Sequence, residues 1–282
     1  MKRIAVIIAL VLAAIATMMY PTVSSYLTQR NGSRAAQAYT DAVTALDDAT
    51  LAAAWAAAEQ YNESLTGSPV HDPFLAGSGM AMGDDYRQVL DVGGIMGYLD
   101  IPRINVHLPI YHGTSEAVLS SGIGHLEGST LPIGGTTRHT VLTGHTGLAH
   151  ARLLTDLVDL GVGDQFYLYV LGRTLAYQVD QIRVVEPEDT AELRRFEGKD
   201  YATLLTCTPY GVNSHRLLVR GERVDYVPAA RAAIEPVHAS AIDRLVRRAA
   251  VLTAGVMAGI IVLVVVVRHR RDARPPVRRG RA

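Results

Sequence analysis

Nineteen consecutive residues, 249–267, carry no charged side chain. As a helix, a run of this length crosses a bilayer core of roughly 30 Å. Arg268-His269-Arg270-Arg271 follows at once, and the positive-inside rule places that end in the cytoplasm. The other end of the chain repeats the arrangement. Lys2-Arg3 precedes seventeen uncharged residues, Ile4 to Tyr20, closed by Pro21. Residues 1–21 read either as a short membrane segment or signal anchor, or as a signal peptide with Ala14-Ile15-Ala16 as the cleavage site. Both readings start the chain inside and put residues 21–248 outside the membrane. The formal net charge of zero hides an asymmetry, because residues 268–282 hold seven Arg and one Asp. A basic cluster confined to a short tail offers no nucleic-acid surface.

An exported region often uses paired cysteines, but this chain has one cysteine, Cys207, so no internal disulfide can form. An unpaired thiol outside the membrane is open to oxidation, which favours a chemical task for it. Its surroundings are specific. Tyr201 to Cys207 is apolar and Thr-rich and reads as a buried strand ending on the thiol. Thr208-Pro209-Tyr210-Gly211 is turn chemistry, and Leu217-Leu218-Val219 is the return strand. Such a strand–loop–strand sets Arg216 beside Cys207, and a guanidinium beside a thiol stabilises the thiolate.

The rest of the chain divides by pattern. Residues 34–65 are Ala-rich with apolar residues at helical spacing, predicting one or two helices with a break near Asp47-Asp48 and Trp55 as a core anchor. Residues 66–97 are crowded with Gly and Pro, predicting a long loop that is either functional or disordered, and His71-Asp72-Pro73-Phe74 within it reads either as a turn with a chance aromatic or as part of a lid at 67–79. From Gly97 the pattern becomes β. Tyr98 to Pro102 and Val106 to Tyr111 are broken by Pro, as at edge strands or bulges. His139 to Thr143 predicts a strand closed by Gly144-His145-Thr146-Gly147, and Leu148 to Leu160 has helical spacing. Asp164 to Val170 and Leu175 to Val179 predict a hairpin across Leu171-Gly172-Arg173, with a further strand at Ile182 to Val185. Seven or eight strands with short helices imply a mostly antiparallel barrel over residues 98–227. Residues 228–248 read as a linker and stalk, 249–267 as the membrane helix, and 268–282 as a basic cytoplasmic tail.

Thiolate attack on a carbonyl needs a nucleophile, a proton shuttle for the leaving amine, and positive charge where the oxyanion grows. Cys207 and Arg216 supply the first and third. The shuttle should be a His. His269 lies in the tail, His238 in the linker and His71 in the expected lid. His107, His112, His125, His139, His150 and His215 stay open, but His145 stands out at a strand end between two Gly. His215, next to Arg216, would point to the opposite strand face.

The segment Thr203 to Arg223 closely resembles the active-site signature of class C sortases, the pilin-polymerising transpeptidases of Gram-positive bacteria. Val141 to Leu148 is similar to that family's catalytic-His segment. Leu108 to Thr114 and Gly124 to Ser129 match its strand and loop text, and Asp72-Pro73-Phe74 resembles its lid motif. The resemblance covers about residues 35–225. It implies an eight-stranded sortase β-barrel with short helices, an N-terminal helical segment and lid, and flanking transmembrane helices. It implies that Cys207 attacks the Thr–Gly carbonyl of an LPXTG-type sorting signal and forms a thioacyl enzyme. His145 would protonate the leaving amine and deprotonate the incoming one. Arg216 would stabilise the oxyanion. The acceptor would be a pilin Lys amine. At rest, Asp72 would pair with Arg216 and Phe74 would pack over Cys207. No metal or organic cofactor is implied, and the partners would be pilin subunits and the membrane bilayer.

Two other readings stand beside this one. The chain could be a housekeeping sortase that anchors proteins to the cell wall. It could instead be a non-enzymatic pilus subunit or adhesin, but residues 229–248 hold no LPXTG-like motif, Leu131-Pro132-Ile133-Gly134-Gly135 is internal and lacks the Thr, and Lys199 is the only exported Lys.

Overall fold

The computed structural model describes residues 2–65, 70–75, 83–148 and 151–236, together with Gly255 and Gly259. The expected membrane helix 249–267 (apart from those two glycines) and the tail 268–282 lie outside the described residues, as do most of the stalk and lid residues 67–69 and 76–79. The chain separates into two units, one of residues 1–20 with 238–282 and one of residues 21–237. The site lies in the second.

Two long helices come first. α1 spans Lys2–Thr44 and α2 spans Asp48–Ser64. The expected break at Asp47-Asp48 has a physical cause. Asp47 leaves the helical region (ψ 160°) and its carboxylate accepts the Thr50 amide, capping α2. Pro21 does not close the first helix but lies inside α1, where it removes one backbone donor without ending the helix. The stretch Leu10–Thr44 is long and apolar enough to cross a membrane, and its most apolar window buries nothing. Further along α1, Ala36, Tyr39 and Val43 form a buried stripe at spacings of three and four. Tyr39 ties that stripe down, its hydroxyl donating to Met96 O (3.1 Å) and accepting from Leu171 N (2.9 Å). Trp55 is only half-buried and packs at the core's edge, with the Arg173 guanidinium 3.9 Å over its ring.

Eight strands follow: β1 Gly97–Ile101, β2 Val106–His112, β3 Ile123–His125, β4 Arg138–Thr143, β5 Gln165–Val170, β6 Arg173–Val185, β7 Asp200–Thr208 and β8 His215–Val224. They close into a barrel in the order β1-β2-β3-β4-β7-β8-β6-β5. The pairs β2–β3 and β4–β7 are parallel and the rest antiparallel. Closure means that β1 and β2 are interior members of a ring, although their prolines read as edge signals. Ile182 to Val185 is not a separate strand. It continues β6 beyond a register shift between Val179 and Gln181, where Asp180 is the extra residue of a bulge. The hairpin turn between β5 and β6 is Leu171-Gly172, both at positive φ (45° and 76°), as a two-residue turn matched to strand twist requires.

Leu153, Leu154, Leu157 and Leu160 are buried as their spacing predicts, yet no α-helix covers them. A short 3₁₀ turn, Thr155–Asp159, carries Leu157 with Leu154 and Leu160 at its two ends, and Leu153 before it takes positive φ. Part of the Gly-rich stretch 66–97 is also structured. α3 spans Asp84–Gln88, and a tight turn bridges Val92 to Ile95. Tyr86 of α3 is buried and donates through its hydroxyl to His125, so residues 83–96 are packed on the barrel.

Strand alternation divides the side chains of β4, β7 and β8 between two faces. Leu142, Ala202, Leu204, Leu217 and Val219 join the large central core. Val141, Leu205 and Leu218 join a smaller cluster with Val70, Leu126 and Leu193, against which Phe74 packs. The second face is therefore covered by the described lid residues.

Candidate active site

Three strand ends bring the site together. β7 and β8 pair antiparallel with Cys207 directly opposite Arg216. β4 runs parallel to β7 with Thr143 opposite Leu205. That pairing continues one residue further, because Gly144 N donates to Leu205 O (3.3 Å) and Thr206 Oγ1 donates to Gly144 O (2.7 Å). The next residue on β4's path is His145, and the next on β7 is Cys207. The parity of the strands gives Cys207, Arg216 and His145 the same face as Leu205, Leu218 and Val141. Of the three residues expected from the sequence to act together, Cys207 and Arg216 are paired side by side, and His145 follows two residues after the end of β4.

The lid residues lie on that face. The Arg216 Nε donates to Asp72 Oδ2 (2.5 Å) and Nη2 donates to Asp72 Oδ1 (3.0 Å), a two-point guanidinium–carboxylate pair with both side chains buried. Nη1 donates to the carbonyls of Asn213 and His215, both at 3.1 Å. Asp72 Oδ1 also accepts from Phe74 N (2.8 Å), so Asp72-Pro73-Phe74 is a locally closed turn with φ fixed at its middle by Pro73. That turn aims the Phe74 ring at the His145 ring (centroids 5.4 Å apart) and under the Arg216 guanidinium (5.3 Å). The aromatic plug thus engages the His and the Arg. Cys207 beside them is 7% exposed.

This arrangement changes the electrostatics expected of the thiol. Burial pushes the Cys207 thiol up, Arg216 pulls it down, and the Asp72 carboxylate pushes it up again, for a net rise. The neighbouring guanidinium therefore does not yield a stabilised thiolate while Asp72 holds it. Burial alone would lower the Arg216 value, but its bonds and charge contacts with Asp72 and Cys207 raise it, so the cation is secure.

The other histidines sort by environment. His125 is fully buried, accepts from the Tyr86 hydroxyl at Nδ1 (2.8 Å) and donates from Nε2 to Thr130 O (2.9 Å), and burial drives its pKa down to about 4. His139 donates to Arg194 O and accepts from the Thr203 hydroxyl, both at 2.7 Å, with a pKa again lowered by burial to about 4. Both are neutral struts. His112 donates to Val89 O, and burial lowers its pKa too. His107 faces Asp100 (3.3 Å) on β1, and His215 faces Glu186 (3.1 Å). His150 and His238 lie outside the described residues, as does His269.

One neighbour of the site has no signal in the strand patterns. Glu116 opens α4 (Glu116–Leu119), and its Oε2 lies 3.3 Å from His145 Nε2. Thr-Ser-Glu at 114–116 reads only as a helix start, with Ser115 capping Val118 N. Its approach to His145 depends on β3 and β4 pairing, which no local pattern announces. Among the described residues, no group of three or more metal-ligating side chains gathers.

Residues 99–224 match the family described as Sortase domain. The chain is 31% identical over 137 residues to sortase D of Bacillus subtilis (strain 168), a match covering 48% of this chain and 66% of that protein, just under two thirds of its length. Among solved structures, sortase C-1 from Streptococcus pneumoniae is 44% identical with a TM-score of 0.66, covering 69% of this chain and all of that one. Sortase C-1 from Actinomyces oris is 49% identical with a TM-score of 0.60, covering 62% of this chain and 99% of that one.

Proposed function

From the premise that this chain belongs to the sortase family and has class C sortases as its structural neighbours, we propose that it is a lid-controlled cysteine transpeptidase that builds covalent pili. The observation that carries the reading is the register. Cys207 opposite Arg216, with His145 following the strand that runs parallel to β7, would supply a nucleophile, an oxyanion donor and a proton shuttle.

In the first half-reaction the Cys207 thiolate attacks the Thr–Gly carbonyl of an LPXTG-type sorting signal. The carbonyl oxygen becomes an oxyanion and accepts hydrogen bonds from Arg216. The C–N bond breaks, His145 gives its proton to the departing Gly amine, and a thioacyl enzyme remains. In the second, a pilin Lys amine attacks the thioester, His145 takes the amine proton, the C–S bond breaks, and an isopeptide bond forms. One acyl bond replaces another of similar free energy, so the demand on the enzyme is to exclude water rather than to supply energy.

The lid fits that demand. In the closed state Arg216 directs Nε and Nη2 to Asp72 and Nη1 to two carbonyls, so four of its five N–H donors are already committed. A sorting signal that displaces Asp72 and Phe74 would free the guanidinium, the His145 ring and the thiol together. The apolar part of α1 and residues 249–267 would hold the domain on the outer face of the cell membrane, with residues 268–282 inside the cell.

The test is mass spectrometry of the exported domain incubated with an LPXTG peptide, as wild type, with Asp72→Ala/Phe74→Ala, and with Cys207→Ala. A Cys207 adduct with the mass of the peptide ending at Thr, absent from Cys207→Ala, is expected. A pilin domain with an accessible Lys should then release it as an isopeptide. No adduct even from the lid-opened variant would defeat the reading, and release only to a peptidoglycan-type amine would replace it with cell-wall anchoring.

A further inference from the structure

A proton shuttle works only if the reacting nitrogen faces the reaction, and His145 sits just past the last residue of β4. Among the described residues, two neighbours hold its ring. One is Phe74, which belongs to the lid and must leave when a substrate enters. The other is Glu116, with Oε2 3.3 Å from Nε2. We propose that Glu116 is a positioning residue for His145: it holds the Nε2 side of the ring when the lid is open, so that Nδ1 is the nitrogen that takes and returns the proton. This rests on the transpeptidase reading above.

The placement of Glu116 supports the assignment. α4 is short but firmly seated. Ser115 caps it, and Leu119 is buried. A Cβ on Gly124 of β3 would lie 2.5 Å from Gly113 O and 2.9 Å from Leu119, so α4 and β3 approach more closely than any side chain at 124 would permit. β3 in turn pairs with β4 at Gly124–Thr143, two residues before His145. The carboxylate is therefore carried on the same framework as the imidazole and does not depend on the lid. Other charged groups around the site have partners of their own, and Glu188 adds its charge near Arg216. Asp72 holds Arg216, Glu186 faces His215, and Arg152 pairs with Asp156 on the loop after His145. Because the Glu116 side chain is 80% exposed, its charge is screened, and the effect should be modest.

The test uses the Asp72→Ala/Phe74→Ala parent, with Glu116→Gln and Glu116→Ala added to it. Adduct formation at Cys207 and its transfer to a Lys amine are timed separately. Both half-reactions use His145, so both should slow by roughly three- to fivefold, with kcat falling and the KM for the LPXTG peptide unchanged. Glu116→Ala should lose more than Glu116→Gln, whose amide still accepts from Nε2–H. The thermal midpoint should stay at the parent's value, since an exposed pair adds little stability. Rates equal to the parent's in both steps would overturn the assignment while leaving the transpeptidase reading intact. A loss confined to the Lys step would also overturn it, and would make Glu116 a docking group for the incoming ammonium. No adduct from the parent itself would remove both proposals.

Discussion

Replacing Asp72 by Ala should turn a protected thiol into a reactive one. In the closed state Asp72 and Arg216 are 3% and 5% exposed, and two of the four hydrogen bonds drawn from the guanidinium end on the Asp72 carboxylate. Truncating one partner of such a pair leaves a buried charge uncompensated, at about 3–5 kcal/mol. In the open state both groups are hydrated, so the same change costs almost nothing there. The whole penalty therefore falls on closure. At about 1.4 kcal/mol per factor of ten, even the lower figure shifts the lid toward the open state by roughly a hundredfold. The thiol gains a second time, because opening relieves its burial, removes the Asp72 charge that pushes its pKa up, and leaves Arg216 free to pull it down. The assay is the pseudo-first-order alkylation of Cys207 by a small neutral reagent, followed by intact mass across a pH series. The expected result is a rate about a hundredfold above wild type at neutral pH, with the midpoint of the pH profile moved to lower pH. The gain saturates once the lid is mostly open, so adding Phe74→Ala should bring little more. An Asp72→Ala rate within twofold of wild type, in a protein with an unchanged circular dichroism spectrum, would refute the argument that this ion pair holds the lid shut.

Tyr39→Phe removes a hydroxyl that bonds both Met96 O and Leu171 N and leaves those two backbone groups unpaired in the core; urea unfolding should show a loss of about 2–3 kcal/mol, and a change below about 0.5 kcal/mol would mean that water replaces the hydroxyl. Gly221→Ala should destabilise by about 1–3 kcal/mol, because a Cβ there would sit 2.7 Å from the Phe166 ring and 2.9 Å from Tyr177 Cβ; a thermal midpoint equal to wild type would show that Phe166 can move aside. Acid should weaken the fold through His125 and His139. Burial lowers both to about 4 in the folded chain against an ordinary 6.5. The unfolded chain therefore takes up protons first as pH falls, so stability is full above about 6.5, declines between 6.5 and 4, and is lowest below. At pH 5 each should have cost on the order of 2 kcal/mol, and His139→Gln should flatten the slope of stability against pH by about half.

The parts of this fold that were legible in the sequence are those whose cause is local. The Cys207–Arg216 hairpin could be read because an apolar run, a turn and a second apolar run follow one another directly, and the register follows from the loop length. The Leu171-Gly172 turn and the Asp47 cap are likewise written in two to four residues. The readings that shifted depend on distant partners. Pro102 and Pro109 look like edge markers, but closure by β1–β5 pairing lies some seventy residues away. Leu148 to Leu160 has helical spacing because its leucines must all face the core, and a 3₁₀ turn with one positive φ can do that as well as a helix. Ile182 to Val185 looks detached because a bulge at Asp180 interrupts the alternation without ending the strand. Trp55 was expected in the core, yet it serves at the rim, where Arg173 covers its ring.

The site follows the same division, and this explains how it can be controlled. Cys207 and Arg216 are nine residues apart and fixed by one hairpin, so their juxtaposition is intrinsic to β7 and β8. His145 arrives through a parallel pair, which no short loop can make, so its position depends on the whole barrel closing. Asp72 and Phe74 arrive from outside the barrel altogether, 144 residues from Arg216 in the case of Asp72, and only the lid's own contacts hold them. On the proposed function, the covalent chemistry would rest on the locally encoded hairpin, while the restraint on it would rest on lid residues far away in the chain. A substrate that competes for Arg216 and for the space under Phe74 can remove the restraint without disturbing a strand. In the proposed reaction the thiol would become reactive by the same displacement that admits the carbonyl it attacks, which would keep water from meeting an activated Cys207 in the absence of substrate.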